Sequence, residues 1–305
     1  MIGYHIFYQH SKEINFLDIC SQFASALFWK NNFGPIKLYC NTQHLEQISK
    51  YRIDSIYDEI NVSELDNIPY DSDTLIKYWS LVKIYAASKI QENKFCILDT
   101  DLWITNSFTW DENVDFMGFH YESFNLNNIH NPYLPPSLFL DNVNDNDWDE
   151  LPINCSLIFI NNKMLVDKWL EFSDMVISLN KNIETNIYGA HTLFIEQRAI
   201  TKICKELKLK CSALIDNVYE AGLNAESNVW TPPIDISQAP QKYIRHIWGL
   251  KRLTHLHSKF IDIIFNDIHQ KFGFLEIQYP ELYVERLKII QDEKYNREKI
   301  KISVD

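Results

Sequence analysis

Two aspartates lie inside an otherwise apolar run, the stretch FCILDTDLWI that ends at Ile104. If this run is extended, side chains two residues apart point the same way, so Asp99 and Asp101 share a face. Like charges held this close repel each other, and burial adds to the cost of keeping both charged. A divalent cation between them removes that cost, and Mg²⁺ and Mn²⁺ both take oxygen ligands. The stretch therefore predicts a metal site, although a bare D-x-D also occurs as a capping or turn pair.

Strand-like and helix-like patterns alternate around this stretch. Short runs rich in apolar and aromatic residues predict strands at residues 4–8, 36–39, 55–62, 95–98, 115–119 and 153–160. Apolar residues at helical spacing predict helices at residues 16–29, 75–90 and 165–179. This alternation is typical of an α/β fold with a mainly parallel sheet and helices on both faces. Ligands of such sheets bind beyond the carboxyl ends of the strands, which is where the two aspartates lie.

Two long loops interrupt the alternation, at residues 121–140 and at the acidic stretch DNVNDNDWDE of residues 141–150. Loops of this length inside a domain are usually lids or disordered segments. The chain reads as helix from residue 253 onward. We therefore predict an α/β domain over residues 1–253 and a helical C-terminal extension over residues 254–305.

The composition excludes several functions. The chain carries 29 Lys and Arg against 41 Asp and Glu, a formal charge of −12, which argues against a nucleic-acid partner. No apolar run is long enough to span a bilayer, so we expect a soluble cytoplasmic protein, with peripheral membrane contact left open. The 6 cysteines include no C-x-x-C pair and read as free buried thiols. The 7 glycines form no phosphate-binding loop.

Two enzyme classes place D-x-D after an apolar strand. The first is the haloacid-dehalogenase phosphatases, whose pattern is D-x-D-x-T. Trp103 stands where that threonine belongs, and no later G-D-x-x-x-D segment is evident. The second is the glycosyltransferases of the GT-A fold, in which the aspartates hold a metal on the diphosphate of a nucleotide sugar.

The segment YWSLVKIYAASKIQENKFCILDTDLWITNSF resembles the core of GT-A-fold enzymes related to glycogenin and to the bacterial lipopolysaccharide galactosyltransferases. In that group a basic residue lies on the helix upstream of D-x-D, and Lys83 takes that place here. The family then has an Asn-Ser-Gly strand start, which Asn154 and the residues after it resemble. Cys155 and Ser156 stand where the family has serine and glycine, so the close backbone approach that glycine permits is not expected.

Two later motifs follow in the family's order. Glu196 and Gln197 in FIEQRAI resemble an acidic-Gln pair that opens a helix. The stretch HIWGLK, from His246 to Lys251, resembles H-x-x-G-x-x-K with one residue fewer. Taken alone, His246 could equally be a structural histidine and Lys251 a solvated surface lysine. The resemblance covers residues 1 to about 255 and rests on the order of four loose motifs.

The resemblance implies a GT-A-like, Rossmann-like fold and a role for each motif. The implied metal ligands, for Mn²⁺ or Mg²⁺, are Asp99, Asp101 and His246. The implied contacts to the nucleotide sugar are Lys83, Lys251, Asp99, Thr100 and Tyr8. The implied catalytic residues, which face the sugar and the acceptor, are Asn154, Glu196 and Gln197. Tyr121, His130 and Tyr133 are weaker candidates for stacking on the acceptor.

The predicted function is metal-dependent transfer of a sugar, from a UDP-sugar in our expectation, to a carbohydrate or glycolipid acceptor. The resemblance implies retention, because retaining enzymes of this group carry an acidic-Gln pair beside the sugar in place of the general base that inversion needs. Inversion stays open, since Glu196 or a carboxylate of residues 141–150 could be that base. A metal-dependent phosphohydrolase and a non-catalytic pseudo-transferase that only binds ligand are also compatible with the sequence.

Overall fold

The computed structural model describes residues 1–10, 13–123, 132–179, 183, 189–220, 223–224, 229–230, 244–247 and 257–302. Its strands are β1 (Gly3–Phe7), β2 (Ile36–Cys40), β3 (Glu59–Asn61), β4 (Phe95–Leu98), β5 (Leu102–Ile104), β6 (Phe116–Ser123), β7 (Leu157–Ile160), β8 (Cys211–Glu220), β9 (Leu223–Asn224), β10 (Val229–Trp230) and β11 (Ile244–His246). Its α-helices are α1 (Phe16–Asn32), α2 (Thr42–Ser49), α3 (Ser63–Asp66), α4 (Ser72–Lys77), α5 (Leu81–Lys89), α6 (Lys163–Leu179), α7 (Ala190–Leu193), α8 (Ala199–Glu206), α9 (His257–Phe272) and α10 (Pro280–Ile302). A π-helical turn (Phe194–Arg198) lies between α7 and α8.

The central sheet has seven strands in the order β3-β2-β1-β4-β7-β6-β8. β7 runs antiparallel to its two neighbours, β4 and β6. The other neighbouring pairs, β3–β2, β2–β1, β1–β4 and β6–β8, are parallel. The predicted α/β class with a mainly parallel sheet is therefore confirmed. Because β7 is reversed, it begins at the edge where β4 and β6 end, and that edge gathers the candidate site residues.

Both faces of the sheet are buried, as the continuous apolar runs of its strands require. In β4, Cys96 and Leu98 belong to an apolar core that includes side chains of α1, α9 and α10. Phe95 and Ile97 belong to a second core that includes side chains of α5, α6 and α8. Successive residues thus face opposite layers, and the expectation of helices on both faces is confirmed.

The C-terminal part of the described chain is helical, as predicted. α9 packs against α1, and its Ile264 and Phe265 are fully buried in the first core. The ring of Tyr279, just before α10, meets Phe23 edge-on at 4.7 Å between centroids. The predicted domain boundary at residue 253 lies outside the described residues. Within the described residues, no helix combines the length and apolarity that crossing a bilayer requires.

The predicted helix over residues 75–90 is two helices, α4 and α5. Tyr78 leaves helical geometry, with φ −121° and ψ 59°. Ser80 is held by Thr192 instead of by the preceding turn. The Ser80 amide donates to Thr192 Oγ1 at 2.8 Å, and the Ser80 hydroxyl donates to the Thr192 carbonyl at 3.2 Å. These tertiary hydrogen bonds outweigh the apolar periodicity that runs through both pieces.

Other element boundaries also differ from the prediction. Residues 55–62 begin as the end of a 3₁₀ turn (Ile53–Ile56) before β3, and residues 153–156 precede β7 without joining it. Residues 121–123, predicted as loop, extend β6 because they pair with β8. β5 and β8 were not predicted. Of the predicted extended helical tail, residues 253–256 lie outside the described residues, and Gly273 interrupts the helix after α9 at φ 74°.

The expectation of a lid or a disordered loop is not met over residues 132–150, which we call the 132–150 segment. Its apolar side chains Tyr133, Phe139, Leu140 and Trp148 are buried. The ring of Phe139 stacks on Phe194 at 4.0 Å with an interplanar angle of 8°. Residues 124–131, which include the sugar-stacking candidate His130, lie outside the described residues.

Candidate active site at the carboxyl edge of the sheet

The site forms where β4 ends, β7 begins and β6 runs past them. The β4–β7 register opposes Leu98 to Leu157, so the residues after one strand adjoin the residues before the other. The Asp99 amide accordingly donates to the Ser156 carbonyl at 2.7 Å. On the other side, the Asn154 amide donates to the His120 carbonyl of β6 at 2.8 Å. The antiparallel pairing of β7 therefore brings the D-x-D stretch, Asn154 and the end of β6 to one place.

This close approach depends on Gly118 in β6. A Cβ built at that position would lie 2.5 Å from the Ile153 side chain and 3.0 Å from the Asn154 carbonyl oxygen. A Cβ at 2.5 Å from another carbon is not found in folded proteins, so a larger residue here would displace the Ile153 side chain and crowd the Asn154 carbonyl. The family has a glycine two residues after Asn154, where this chain has Ser156. In this chain the glycine that lies close to Asn154 is Gly118, on the neighbouring strand β6.

The D-x-D residues form a tight turn between β4 and β5. The Leu102 amide donates to the Asp99 carbonyl at 3.1 Å, which closes the turn. Asp101 and Thr100 are buried, and the Asp99 side chain keeps 29% of its surface exposed. Burial raises the pKa of Asp99, the Lys83 ammonium lowers it, and the Asp101 charge raises it, with a net increase. Both carboxylates are thus held where charge is costly without a cation.

His246 reaches the aspartates because β11 pairs antiparallel with β5. The register opposes His246 to Leu102, one residue beyond Asp101. His246 Nε2 lies 3.5 Å from Asp101 Oδ1, and the His246 side chain is 7% exposed. Phe119 meets the imidazole edge-on at 6.1 Å between centroids. Strand pairing, rather than proximity along the chain, therefore supplies the third polar group.

These three residues fit a divalent cation. One ligand atom from each of Asp99, Asp101 and His246 lies within 4.8 Å of the others. His246 Nε2 is buried and makes no hydrogen bond to the part of the chain that the structure describes. An imidazole nitrogen with two carboxylate oxygens is a donor set that suits Mn²⁺. A buried ring nitrogen directed at a carboxylate is better explained by a shared cation than by packing alone.

Lys83 occupies the space between the aspartates and the acidic-Gln pair. Its ammonium forms ion pairs with Asp99 Oδ1 at 2.7 Å and Glu196 Oε1 at 2.8 Å, and it donates a hydrogen bond to the Cys155 carbonyl at 2.9 Å. Burial lowers the pKa of Lys83, but Asp99 and Glu196 raise it further, so the ammonium stays charged. Burial also raises the pKa of Glu196, against the lowering by Lys83. Lys83 therefore pairs with carboxylates from both the D-x-D stretch and the π-helical turn.

A second carboxylate cluster, which the sequence patterns did not reveal, centres on Glu122. Asn154 Nδ2 donates to Glu122 Oε1 at 2.8 Å, the Tyr133 hydroxyl contacts the other carboxylate oxygen, and His120 Nε2 lies 3.4 Å from Oε1. Burial raises the pKa of Glu122, but these three groups lower it more, and the net shift is downward. The sequence held one signal: His120 and Glu122 are two apart in a strand, as the aspartates are.

Gln197 and Glu196 lie in the π-helical turn and not at the start of an α-helix. Both are buried. The Gln197 carbonyl accepts from the Ile153 amide at 3.2 Å, and the Ile195 carbonyl accepts from Trp169 Nε1 at 2.7 Å. π-Helical turns are rare and frequently occur at functional sites. The turn thus places the acidic-Gln pair beside the residues before β7.

The structure does not bring every predicted residue together. Tyr8 follows β1 at the same edge of the sheet as Asp99, and its half-buried ring lies 4.9 Å from that of His10. Of the acidic-loop carboxylates, Asp149 pairs with Lys205 of α8 at 2.5 Å, and Asp145 accepts from the Ser137 amide at 2.8 Å within the same segment. Lys251 lies outside the described residues.

Comparison with known proteins assigns the chain to a family but gives no activity. Residues 17–231 match the family model described as "Family of unknown function (DUF6492)", and the chain belongs to that family. No curated protein matches the chain. Among solved structures, the crystal structure of the glycosyltransferase GlyE of Streptococcus pneumoniae TIGR4 matches with 15% identity and a TM-score of 0.37. The match covers 70% of this chain and 44% of that one, less than half its length. Similarity this low does not support an inference about activity.

Proposed function

We propose that this member of the family is a metal-dependent glycosyltransferase, which moves a sugar from a nucleoside diphosphate sugar to a carbohydrate or glycolipid acceptor. The observation that carries the proposal is the cluster of Asp99, Asp101 and His246 at the carboxyl edge of the sheet, with ligand atoms within 4.8 Å. Lys83, Asn154, Glu196 and Gln197 adjoin it, in the order that the resemblance to the glycogenin and lipopolysaccharide galactosyltransferase group implies. We keep UDP as the expected nucleotide and the cytoplasm as the expected location.

In this proposal the two aspartates and His246 hold Mn²⁺ or Mg²⁺. When bound, the cation acts as a Lewis acid that neutralises the leaving diphosphate. Lys83 pairs with Asp99 and Glu196 and lowers the pKa of each carboxyl, against the larger rise that burial causes. Thr100, Tyr8 and Lys251 stay predicted nucleotide contacts.

The arrangement of the carboxylates favours retention of configuration. A general base takes the proton of the acceptor hydroxyl, and a carboxylate does so less readily when a cation or hydrogen-bond donors already bind it. Glu196 is bound by the Lys83 ammonium at 2.8 Å, and Glu122 accepts hydrogen bonds from Asn154 and Tyr133. The proposed product therefore keeps the donor's α configuration, with Gln197 beside the reacting sugar. Inversion with Glu196 as the base is the alternative, and proton NMR of the first-formed product distinguishes the two through the anomeric coupling constant.

Two other functions compete with transfer. Against a phosphohydrolase of the D-x-D-x-T kind, Trp103 is buried and its Nε1 donates to Asp267 at 3.0 Å, so this position offers no hydroxyl. Against a module that only binds ligand, the chain keeps two costly carboxylates beside a buried histidine. A pseudo-transferase would nevertheless bind the same nucleotide, so turnover must be measured separately from binding.

The test is a panel of nucleotide sugars and free nucleotides with Mn²⁺ or Mg²⁺, read by thermal shift and by release of nucleotide. Stabilisation by UDP with metal, together with release of UDP from one UDP-sugar, supports the transferase. Stabilisation without turnover on any donor and acceptor supports the binding module. Hydrolysis of simple phosphate esters without nucleotide binding supports the phosphohydrolase.

A further inference from the structure

Tyr133 lies between the two acidic halves of the site. It is 2% exposed, so its ring cannot stack on an acceptor sugar as the sequence suggested. Its hydroxyl oxygen is 2.6 Å from Gln197 Oε1 and also contacts a carboxylate oxygen of Glu122. The phenol therefore connects the carboxylate that binds Asn154 with the side chain expected beside the reacting sugar.

The number of protons restricts this contact. A phenol donates one hydrogen bond, and an ionised carboxylate is a stronger acceptor than an amide oxygen. Glu122 carries a negative charge because its pKa is lowered. If the phenol proton goes to Glu122, Gln197 can keep its contact only by turning its amide NH₂ group toward the phenol oxygen. A half-turn of the carboxamide exchanges its oxygen and nitrogen without moving any other atom, so the observed positions accommodate this orientation.

The backbone of Tyr133 is fixed as well. Arg198 is the residue after Gln197, and its guanidinium is buried in contact with the 132–150 segment. Arg198 Nη1 donates to the Leu134 carbonyl at 2.7 Å and to the Tyr133 carbonyl at 3.4 Å, and Nη2 donates to the Trp148 carbonyl at 3.3 Å. The π-helical turn thus holds the peptide of Tyr133 through Arg198 and its hydroxyl through Gln197.

We propose that Tyr133 is a positioning residue, which fixes the orientation of the Gln197 carboxamide by accepting from its NH₂ group while donating to Glu122. The expected effect on turnover rests on the proposed function. The contact between Tyr133 and Gln197 does not depend on it. Tyr133 acts through Gln197, so removing its hydroxyl matters only while the Gln197 carboxamide is present.

The experiment is a double-mutant cycle of Tyr133→Phe and Gln197→Ala. For the wild-type donor and acceptor, Tyr133→Phe should lower kcat roughly ten- to a hundredfold, with the donor KM and the Mn²⁺ affinity unchanged. In the Gln197→Ala background the same substitution should have no further effect on kcat. Tyr283→Phe is the matched control, since Tyr283 is also buried and its hydroxyl bonds His269 Nε2 at 2.9 Å on the distant α10; it should keep the wild-type kcat.

Multiplicative losses of kcat in the cycle, or a wild-type kcat in Tyr133→Phe, would overturn the proposal. The melting temperatures of the wild type, the two single variants and the double variant form a second cycle that needs no substrate. The shift of the double variant should be smaller than the sum of the two single shifts. If the wild type turns over no donor, the transferase proposal fails, and additive melting shifts would show that the Tyr133 proposal fails too. If Tyr133→Phe does not fold, Gln197→Glu replaces it. This variant has no NH₂ donor and places a second carboxylate against the Tyr133 hydroxyl, so it should melt below the wild type. An unchanged melting temperature would overturn the proposal.

Discussion

His246 Nε2 lies 3.5 Å from Asp101 Oδ1, across the antiparallel pair formed by β11 and β5. The pairing continues one residue further, where the Ile247 amide donates to the Asp101 carbonyl at 3.2 Å. The imidazole is therefore fixed by backbone hydrogen bonds to the same short strand that follows D-x-D. Any cation held between Asp101 and His246 would therefore be bound by side chains whose backbones are hydrogen-bonded to each other.

Asp101→Asn should abolish Mn²⁺-dependent UDP binding and leave the fold intact. The substitution removes one anionic ligand and also relieves the repulsion between Asp99 and Asp101, so the melting temperature without ligand should stay level or rise. Calorimetry of UDP binding with and without Mn²⁺ measures the effect. Asp167→Asn, the same change on the exposed face of α6, should bind as the wild type does. Unchanged Mn²⁺-dependent affinity in Asp101→Asn would rule out the metal site.

His246→Ala should weaken Mn²⁺ binding by about tenfold, or roughly 1.4 kcal/mol, because water can replace one ligand of several. The control is His269→Ala, which removes a ring that stacks on Tyr283 at a distance from the site. Without metal, the melting temperature of His246→Ala should fall by little more than that of this control. A lower melting temperature with unchanged Mn²⁺ affinity would make His246 a structural residue instead.

Lys83→Met should destabilise the protein by roughly 3 kcal/mol, because breaking a buried ion pair leaves uncompensated charge. Asp99 keeps part of its surface in water, so the effect should lie near the lower end of what buried pairs show. Mn²⁺ should raise the melting temperature of this variant more than that of the wild type, since the cation compensates the same carboxylates. Lys168→Met, which breaks an exposed pair with Glu171, should melt as the wild type does. If Mn²⁺ raised the melting temperatures of Lys83→Met and of the wild type equally, Lys83 and the cation would not be compensating the same carboxylates.

Arg198→Met should loosen the 132–150 segment. It removes the donors of buried carbonyls, at a cost of about 1–3 kcal/mol for each carbonyl left without a partner. Limited proteolysis should then cut within residues 132–150 at protease concentrations that leave the wild type intact. Lys205→Met is the control, since it removes only an exposed ion pair with Asp149 of the same segment. Its protease resistance should stay closer to that of the wild type. Equal protease resistance of Arg198→Met and Lys205→Met would show that the guanidinium does not hold the segment.

Stability should fall with acid because of two buried histidines. His5 Nδ1 lies 2.7 Å from the Tyr57 hydroxyl and Nε2 lies 2.8 Å from Ser25 Oγ, while His44 Nε2 lies 3.0 Å from Gln22 Oε1. Burial lowers the pKa of each to about 3; the charge of His44 lowers that of His5 further, and Asp101 raises it slightly. The unfolded chain binds protons near pH 6.5 and the folded one does not. The contribution of these two histidines to the free energy of unfolding is therefore fully present above pH 6.5, and it is lost as the pH falls from 6.5 toward 3.

The expected slope is about 1.4 kcal/mol per pH unit for each histidine. Chemical denaturation at several pH values between 6.5 and 4.5, above most carboxylate titrations, measures it. His44→Gln keeps an NH₂ donor for Gln22 but cannot be protonated, so the slope of this variant should be smaller than that of the wild type by about 1.4 kcal/mol per pH unit. A wild-type slope in His44→Gln would mean that other groups dominate the acid sensitivity.

Local patterns in the sequence were enough to predict the alternation of strands and helices, the strand β4 and the placement of D-x-D after it. Each of these depends on residues within a few positions of one another, such as the apolar run before Asp99 or the helical spacing around Lys83. From the order of later motifs we predict that Asn154, Glu196, Gln197 and His246 belong to one site with the aspartates, and their roles stay predictions. The break between α4 and α5 was missed because it depends on hydrogen bonds between Ser80 and Thr192.

The tertiary structure decided which side chains meet and what each one is bound to. The reversal of β7, the pairing of β11 with β5 and the close approach at Gly118 bring distant segments to one edge of the sheet. They also place Glu122 and Tyr133 in the site. The sequence identified Lys83 as a cation near D-x-D, but not that Asp99 and Glu196 share it. A residue's type determines what it can bind, whereas its partners depend on strand register and burial, which arise from contacts between segments far apart in the chain.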